Sequence, residues 1–365
     1  MPVVTQFVFI DTQVFDQHQL DFSSPSFRRL VRLATAGELS LVLTDVTVRE
    51  IRTHLDSAAQ TAVKQLSNYK KVSRVVKQVI PADQLTGLES VTEEELAVSL
   101  RADFEKFLFE TDTRVITVNT VPPSEIFDRY FLSKPPFGDK NKKSEFPDAF
   151  AGAALEAWCK GPPPQTIYIV SGDGDWRRVC EETAEFIHVK RLEELLELFA
   201  DSEIAADLKD AAKEASESVL SSLNEHIDRA VIYFYVDDSV ADGEIENVEV
   251  VNSDIEDVNV IEAKDGYAVL SVACRVTVTL DISGDDPGSK WHDNDDGSLH
   301  SVWTVSGSVD RDLELEATVE VDYDIDNPHR ITIKAVSFQE EGISISVEDD
   351  KLTTNYDNDE EDGEE

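Results

Sequence analysis

The chain has 365 residues, of which 41% are hydrophobic, and this length exceeds one ordinary hydrophobic core and predicts two domains. Its net charge of −42 is uneven, because residues 1–200 contain 23 Lys and Arg against 30 Asp and Glu, whereas residues 201–365 contain 10 against 45. The second part therefore has too few cations for general nucleic-acid binding through phosphate contacts.

The first 200 residues alternate short apolar strands with helical patterns. This alternation predicts an α/β domain with a parallel sheet, helices on both faces and right-handed crossovers. The predicted strands are 6–10, 39–43, 114–118, 166–170 and 186–189. The predicted helices are 24–33, 45–77, 91–110, 123–132, 147–158 and 176–184.

The second part of the chain has a different pattern. Residues 192–230 have helical spacing and predict one or two helices that join the halves. From residue 231 the apolar residues recur at every second position, and turn signals such as Asp265-Gly266 and Asn327-Pro328 separate the runs. This predicts an acidic antiparallel β domain of about six to eight strands, either a sandwich or a curved sheet on a helix. The four clearest runs are 267–281, 301–309, 313–322 and 330–337.

Four segments follow from these patterns. We expect an α/β domain at 1–200, a helical connector at 201–230 and the acidic β domain at 231–350. The last segment, 351–365, is dominated by acids and is predicted to be disordered.

Cysteine spacing and hydropathy favour a cytoplasmic location. Cys159, Cys180 and Cys274 lack the spacing of a disulfide framework or a zinc site. The N-terminus lacks the pattern of a signal peptide, and no stretch reaches the roughly 18 apolar residues of a membrane helix.

Acidic residues follow the predicted strands. Asp11 comes directly after the first strand and Asp173 three residues after the fourth, so the topology places both at the same edge of a parallel sheet. Glu50 on the helix after the second strand, Asp148 in the first turn of a helix and Asp175 are further candidates. Grouped carboxylates repel one another unless a cation joins them, and they are natural ligands of Mg²⁺ or Mn²⁺.

Each of these acids also has an ordinary structural interpretation. Asp11 and Asp175 suit helix caps or turns, and Glu50 suits a solvated helix face. His54, one turn after Glu50, is expected to have a structural role. The combination of four acidic positions in a fixed order favours a functional site over these separate explanations.

In order and context, the acids resemble the site of the PIN-domain nucleases. The resemblance covers roughly residues 5–195, and the lysine loop that ends at Asp148 resembles a subgroup larger than the short toxin ribonucleases of the family. The segment between Glu50 and Asp148 is much longer than in those toxins, so inserted helices can cover or extend the substrate groove. Gln13 stands where the family more often has Asn or Ser, and Ser171 stands where it more often has Thr. The matching motifs are Asp11-Thr12, Glu50, Asp148 before small residues, and Ser171-Gly172-Asp173-Gly174-Asp175 followed by Trp176.

The resemblance implies metal-dependent hydrolysis of nucleic acid, with single-stranded RNA favoured over DNA and with Mg²⁺ or Mn²⁺ as the cofactor. It implies catalytic and metal-binding roles for Asp11, Glu50, Asp148 and Asp173, and a metal-binding role for Asp175. Thr12 and Ser171 would support these acids through hydrogen bonds.

Four cations near these motifs are candidate substrate-binding residues. They are Lys140, Lys142 and Lys143, in the loop before Asp148, and Arg177, after the acidic turn. Each of them equally suits a solvated surface.

A catalytically silent PIN-like protein is the alternative function, because the strong overall acidity should repel polyanions away from the site. The acidic β domain would then recruit or sense a protein partner. The sequence leaves open whether the chain forms a homo-oligomer.

Overall fold

The computed structural model describes residues 3–72, 92–138, 144–229 and 231–355, the last range with short gaps. The chain divides into two compact units, Met1–Ser202 (unit 1) and Glu203–Glu365 (unit 2). The gaps lie at 237–238, 241–242, 286–289, 293–298, 302–303, 339–341 and 348–352.

Unit 1 contains a five-stranded parallel sheet, which confirms the predicted fold class. Its strands are β1 (Phe7–Ile10), β2 (Ser40–Thr44), β3 (Arg114–Ile116), β4 (Ile167–Val170) and β5 (Phe186–Val189). The spatial order is β3–β2–β1–β4–β5, so the strand order reverses between β1 and β4. Val8 in the central strand pairs with Leu41 on one side and Tyr168 on the other.

The helices of unit 1 follow the strands in the predicted alternation. One of them, α1, was missed by the sequence patterns, because six residues are too few for a helical period to be recognised. The helices are α1 (Thr12–Gln17), α2 (Pro25–Thr35), α3 (Asp45–Val72), α4 (Glu93–Glu110), α5 (Pro123–Phe131), α6 (Phe146–Cys159), α7 (Gly174–Glu182) and α8 (Leu192–Glu197), with a 3₁₀ turn at Val118–Thr120.

Local sequence signals explain where these helices begin. Thr92 and Glu95 form a capping box at the start of α4, in which the Thr92 hydroxyl accepts from the Glu95 N–H at 3.2 Å. Ser24 caps α2, and proline occupies the first turns of α2, α5 and α6, where its missing N–H costs no hydrogen bond.

Unit 2 begins with two helices and continues with strands. Its helices are α9 (Ser202–Glu214) and α10 (Ser216–Arg229). Its strands are β6 (Val231–Val236), β7 (Ser239–Val240), β8 (Gly243–Lys264), β9 (Tyr267–Asp285), β10 (Lys290–His292), β11 (Leu299–Ser301), β12 (Thr304–Asp324), β13 (Asn327–Phe338), β14 (Gly342–Val347) and β15 (Thr353–Asn355).

The main sheet of unit 2 is antiparallel, as predicted, with the order β13–β12–β9–β8. Alternate residues of β9, from Ala268 through Leu280, are buried, in agreement with the period of two. Helix α10 contacts β8 and β13 and buries Val219, Leu223 and Ile227 along one face. These contacts match the expected curved sheet on a helix.

Four features of residues 192–355 differ from the sequence predictions. The predicted strands 301–309 and 313–322 are largely one strand, β12, because a run of charged residues does not interrupt an exposed strand face. Asn327 and Pro328 belong to β13 rather than to a turn, and β6 pairs with β14 in parallel rather than antiparallel. Residues 192–229 form three helices rather than one or two.

The expected disorder from residue 351 is wrong for β15, which pairs with β12 at Thr304 to Ser306. Residues 356–365 lie outside the described residues.

Two further predictions concern redox state and membranes. Cys159, Cys180 and Cys274 are free thiols. Burial, the largest cause, raises the pKa of Cys159 and Cys180 to about 12, which suits unreactive structural thiols. Among the described helices, none combines the length and apolarity needed to cross a bilayer.

Candidate active site

The first pair of site residues meets where the strand order of unit 1 reverses. Asp11 directly follows β1, and its N–H donates to the Val170 carbonyl of β4 at 3.0 Å. Ser171 directly follows β4, is fully buried, and donates from its hydroxyl to Asp11 Oδ2 at 2.7 Å. The carboxyl ends of two adjacent strands therefore bring these side chains together, at the position where open α/β sheets bind ligands.

The side chain of Asp11 does not cap the helix that follows it. It occupies the N-cap position of α1, but its side chain makes no capping hydrogen bond. The side chain is 8% exposed, and burial, the largest cause, raises its pKa to about 6. Hydrogen bonds from the Ser171 hydroxyl and the Thr12 backbone oppose this rise, while Asp173 and Glu50 add to it by charge repulsion.

Glu50 joins the same group from the second turn of α3. The Thr12 hydroxyl, just after Asp11, donates to Glu50 Oε2 at 3.1 Å. The pKa of Glu50 is raised chiefly by burial, lowered by Thr12 and His54, and raised by Asp16. His54 Nδ1 lies 2.8 Å from Asp16 Oδ2, so His54 binds a neighbouring acid beside the site.

Asp148 is the most perturbed of the acids. It lies half-buried in the first turn of α6, and burial raises its pKa to about 8, with further rises from Asp11, Glu50, Glu145 and Asp173. In the described part of the chain, no cation or hydrogen-bond donor offsets this repulsion. Acids from four separate segments therefore act on one carboxyl group.

The acidic turn after β4 divides into two roles. Asp173 caps α7, because its Oδ1 accepts from the Asp175 N–H at 2.8 Å, and its own N–H donates to the Ser171 hydroxyl at 3.1 Å. Asp173 raises the pKa of both Asp11 and Asp148, so its charge faces the group. Asp175 forms an ion pair with Arg178, which occupies part of its capacity as a ligand.

Glu145 is a member of the group that the sequence patterns missed. It lies at the N-cap of α6, accepts from the Ser144 hydroxyl at 2.8 Å, and has a pKa raised by burial and by Asp175 and Asp173. An acid at a helix N-terminus is favoured by the helix dipole alone. Because this ordinary role explains the residue, the sequence gives no sign that Glu145 also acts on the Asp148 carboxyl group.

Of the four cations predicted to bind substrate, only Arg177 lies within the described residues. Arg177 is exposed and its Nε donates to Glu181 Oε1 at 3.1 Å, one turn further along α7. Arg178, not Arg177, contacts the acidic group, and it also donates to the Pro136 carbonyl at 3.3 Å. Lys140, Lys142 and Lys143 lie outside the described residues.

The donor set of these acids suits a divalent cation. Hard carboxylate oxygens and flanking hydroxyls are what Mg²⁺ and Mn²⁺ prefer, and a cation would relieve the repulsion that raises the pKa of Asp148. Across the described residues, however, no three acidic, histidine or cysteine side chains are already arranged to hold a metal ion. The residues therefore fit a divalent cation by their chemistry, although they do not form a finished set of ligands.

Comparison with known proteins agrees with this geometry. Residues 8–176 match the family model described as PIN domain. This range includes β1 to β4, the acids from Asp11 to Asp175, and the reversal of strand order. Unit 1 therefore contains a PIN domain, a class associated with nuclease activity. No curated protein matches the chain significantly.

Proposed function

We propose that unit 1 is a metal-dependent nuclease that hydrolyses phosphodiester bonds in single-stranded nucleic acid, with Mg²⁺ or Mn²⁺ as cofactor. The observation that carries this proposal is the convergence on Asp148, whose pKa is raised to about 8 by burial and by four other acids. Strongly perturbed carboxyl groups at the switch point of an α/β sheet are typical of functional sites.

The acids have separable roles in this proposal. Asp11, Asp148 and Asp173 would hold the cation directly or through water, and Glu50 would hold a second cation or orient the attacking water. When bound, the cation stabilises negative charge at the phosphate and lowers the pKa of the attacking water. Ser171 and Thr12 keep Asp11 and Glu50 oriented through hydroxyl hydrogen bonds of 2.7 Å and 3.1 Å.

Asp175 has a supporting role in the proposed site. Its ion pair with Arg178 links the start of α7 to the loop at Pro136. Asp175 becomes a direct ligand only if Arg178 turns to a phosphate group of the substrate. The preference for RNA over DNA rests on the resemblance to PIN ribonucleases.

The proposal is tested by cleavage of a labelled single-stranded RNA by the full chain in MnCl₂. Asp11→Asn keeps an acceptor for the Ser171 hydroxyl but removes the charge, so we expect an intact fold and at least about a hundredfold loss of rate. Asp103→Asn, an exposed position on α4, is the matched control and should leave the rate unchanged. Full activity in Asp11→Asn would refute the mechanism.

A catalytically silent binding protein is the second candidate. It is favoured by the absence, within the described residues, of three side chains already arranged as a metal site, and by the ion pair that occupies Asp175. Calorimetric titration of the full chain with MnCl₂ separates the two functions. The absence of both binding heat and thermal stabilisation at millimolar Mn²⁺ would favour the silent protein.

A further inference from the structure

An exposed aromatic surface lies on α5 and the start of α6. It consists of Phe127, Tyr130, Phe131 and Phe146, which we call the aromatic patch. Phe131 is 76% exposed and Phe127 is 47% exposed. Large aromatic side chains dominate interaction energies when they are covered, so two exposed rings on one helix indicate a binding surface.

The rings of the patch are ordered against one another. Phe127 and Phe131 lie one helical turn apart with centroids at 6.4 Å and an angle of 28° between ring planes. Phe146 lies 5.7 Å from Phe127 and 5.3 Å from Tyr130. Beneath the patch, Ile126 and Phe137 are fully buried and hold α5 against α6. The exposed rings therefore stand on a rigid base.

The patch begins within one helical turn of the acidic group. Phe146 and Asp148 share the first turn of α6, and Glu145 immediately precedes them. Phe146 packs towards α5, whereas Asp148 is coupled to Asp11, Glu50 and Asp173. A strand of a few nucleotides whose phosphates lie at the acids is therefore long enough to reach the patch.

We propose that the aromatic patch binds unpaired bases of a single-stranded nucleic acid whose backbone enters the acidic site. The inference rests on the proposed nuclease function and adds to it a separate surface that binds the bases of the substrate. Flat faces of aromatic rings stack with any base, and only unpaired bases present a free face. Stacking also provides affinity without cations, which suits a protein whose net charge is −42.

The test is a binding measurement that does not require cleavage. A fluorescein-labelled 12-nucleotide oligoadenylate RNA is titrated with the full chain in CaCl₂, alone and annealed to its complement. We expect the single strand to bind more tightly than the duplex. Phe131→Ala should weaken single-strand binding at least about fivefold, because stacking on one ring is lost. Because Phe131 is largely exposed and, among the described residues, its ring contacts only neighbouring rings of the patch, the melting temperature should change little.

Phe109→Ala is the matched control, because Phe109 is 85% exposed on α4 and makes no ring contact within the described residues. Equal affinities of the wild type and Phe131→Ala, equal losses in both variants, or equal binding of duplex and single strand would overturn the proposal. A change of sedimentation coefficient in Phe131→Ala without a change in RNA affinity would assign the patch to protein association instead.

Hydrolysis of bis(4-nitrophenyl) phosphate in MnCl₂ separates this inference from the nuclease function. This small diester reaches the acids but not the patch, so Phe131→Ala should hydrolyse it at the wild-type rate. If no substrate is cleaved but Phe131→Ala still weakens RNA binding, the nuclease proposal is refuted and base binding by the patch is supported. If cleavage depends on Asp11 but RNA binding is unchanged in Phe131→Ala, only the proposal for the patch is refuted.

Discussion

Hydroxyl groups, not cations, hold two of the acids in the candidate site. Ser171 donates to Asp11 and Thr12 donates to Glu50, and both hydrogen bonds lower the pKa of the acid that accepts them. Asp148 lacks such a donor among the described residues, and its pKa rises furthest. The three acids thus differ in how readily they ionise, and Asp148 is the hardest to ionise without a nearby cation.

The perturbed pKa of Asp148 predicts a pH-dependent stability in chelator. A carboxyl group whose folded pKa is about 8 and whose unfolded pKa is near 4 releases its proton more readily when unfolded, so wild-type stability falls as pH rises between these values. Asp148→Asn removes this loss. We expect the free energy of unfolding of Asp148→Asn, relative to that of the wild type, to be higher at pH 8 than at pH 4 by roughly 1–3 kcal/mol. This range is smaller than the full pKa difference would give, because the side chain is partly exposed.

Urea unfolding in EDTA at both pH values measures the difference between Asp148→Asn and the wild type. Asp103→Asn should leave the free energy of unfolding unchanged at each pH, since the side chain of Asp103 is exposed. A stability gain that is the same at pH 4 and pH 8 would show that the charge of Asp148 is not the cause. Adding MnCl₂ at pH 8 should narrow the gap, because only the wild type has this carboxylate as a ligand.

Asp11, Asp148 and Asp173 could be predicted from the sequence because strand ends and a helix start fix their positions. Glu145 could not be, since an acid beside a helix N-terminus has a sufficient local explanation. Arg177 and Arg178 are adjacent, and only their direction around α7 decides that Arg178 contacts Asp175. Side-chain direction at that level depends on helix rotation, which sequence spacing does not specify.

Helix α6 places Asp148 by packing closely against α7. A Cβ atom added at Gly152 would lie 3.7 Å from Val179 and 3.8 Å from Trp176, which are ordinary contact distances. Gly152→Ala should therefore fit and stabilise the protein by about 0.5–1 kcal/mol, because alanine favours a helix interior over glycine. Gly152→Leu should displace α6 and lower both stability and Mn²⁺ affinity.

Thermal unfolding and MnCl₂ titration of the two Gly152 variants test this packing. Wild-type Mn²⁺ affinity in Gly152→Leu would mean that the position of α6 does not control the acidic site. Destabilisation by Gly152→Ala would mean that the contact with α7 is tighter than these distances indicate.

Strand β8 illustrates how far sequence periodicity extends at the scale of an element. Its alternation indicates a strand, but its pairing with β9 shifts register at four evenly spaced places, beginning between Ile245 and Asn247 and ending between Val260 and Glu262. Each shift adds a residue, reverses the face that follows and increases strand twist. A period of two thus predicts that β8 exists, while its curvature depends on bulges that no residue type marks.

The predicted turn at Asp265-Gly266 is present between β8 and β9, and both residues have positive φ angles, of 52° and 83°. Two-residue hairpins with this backbone strongly favour such a pair. Turn chemistry therefore fixed the β8–β9 connection, whereas the Asn327-Pro328 signal marked the start of β13 instead of a turn.

The two units have very different charge. Residues 203–365 contain 10 Lys and Arg against 44 Asp and Glu, which is most of the net charge of the chain. A polyanionic substrate is therefore repelled by unit 2 over the distance that salt allows, about 30 Å at 0.01 M and about 8 Å at 0.15 M. The net charge of unit 2 should therefore slow the approach of nucleic acid to the whole chain at low salt.

This charge predicts an unusual salt dependence for cleavage. Basic nucleic-acid-binding proteins lose affinity as salt rises, because phosphate contacts release counterions. In this chain, screening should instead raise kcat/KM on a 12-nucleotide RNA by about two- to tenfold between 10 and 150 mM NaCl at constant MnCl₂. Residues 1–202 alone, with far less net charge, should respond more weakly and cleave faster at 10 mM. A rate for the full chain that falls with salt, or that matches residues 1–202 throughout, would mean that unit 2 does not act through long-range repulsion.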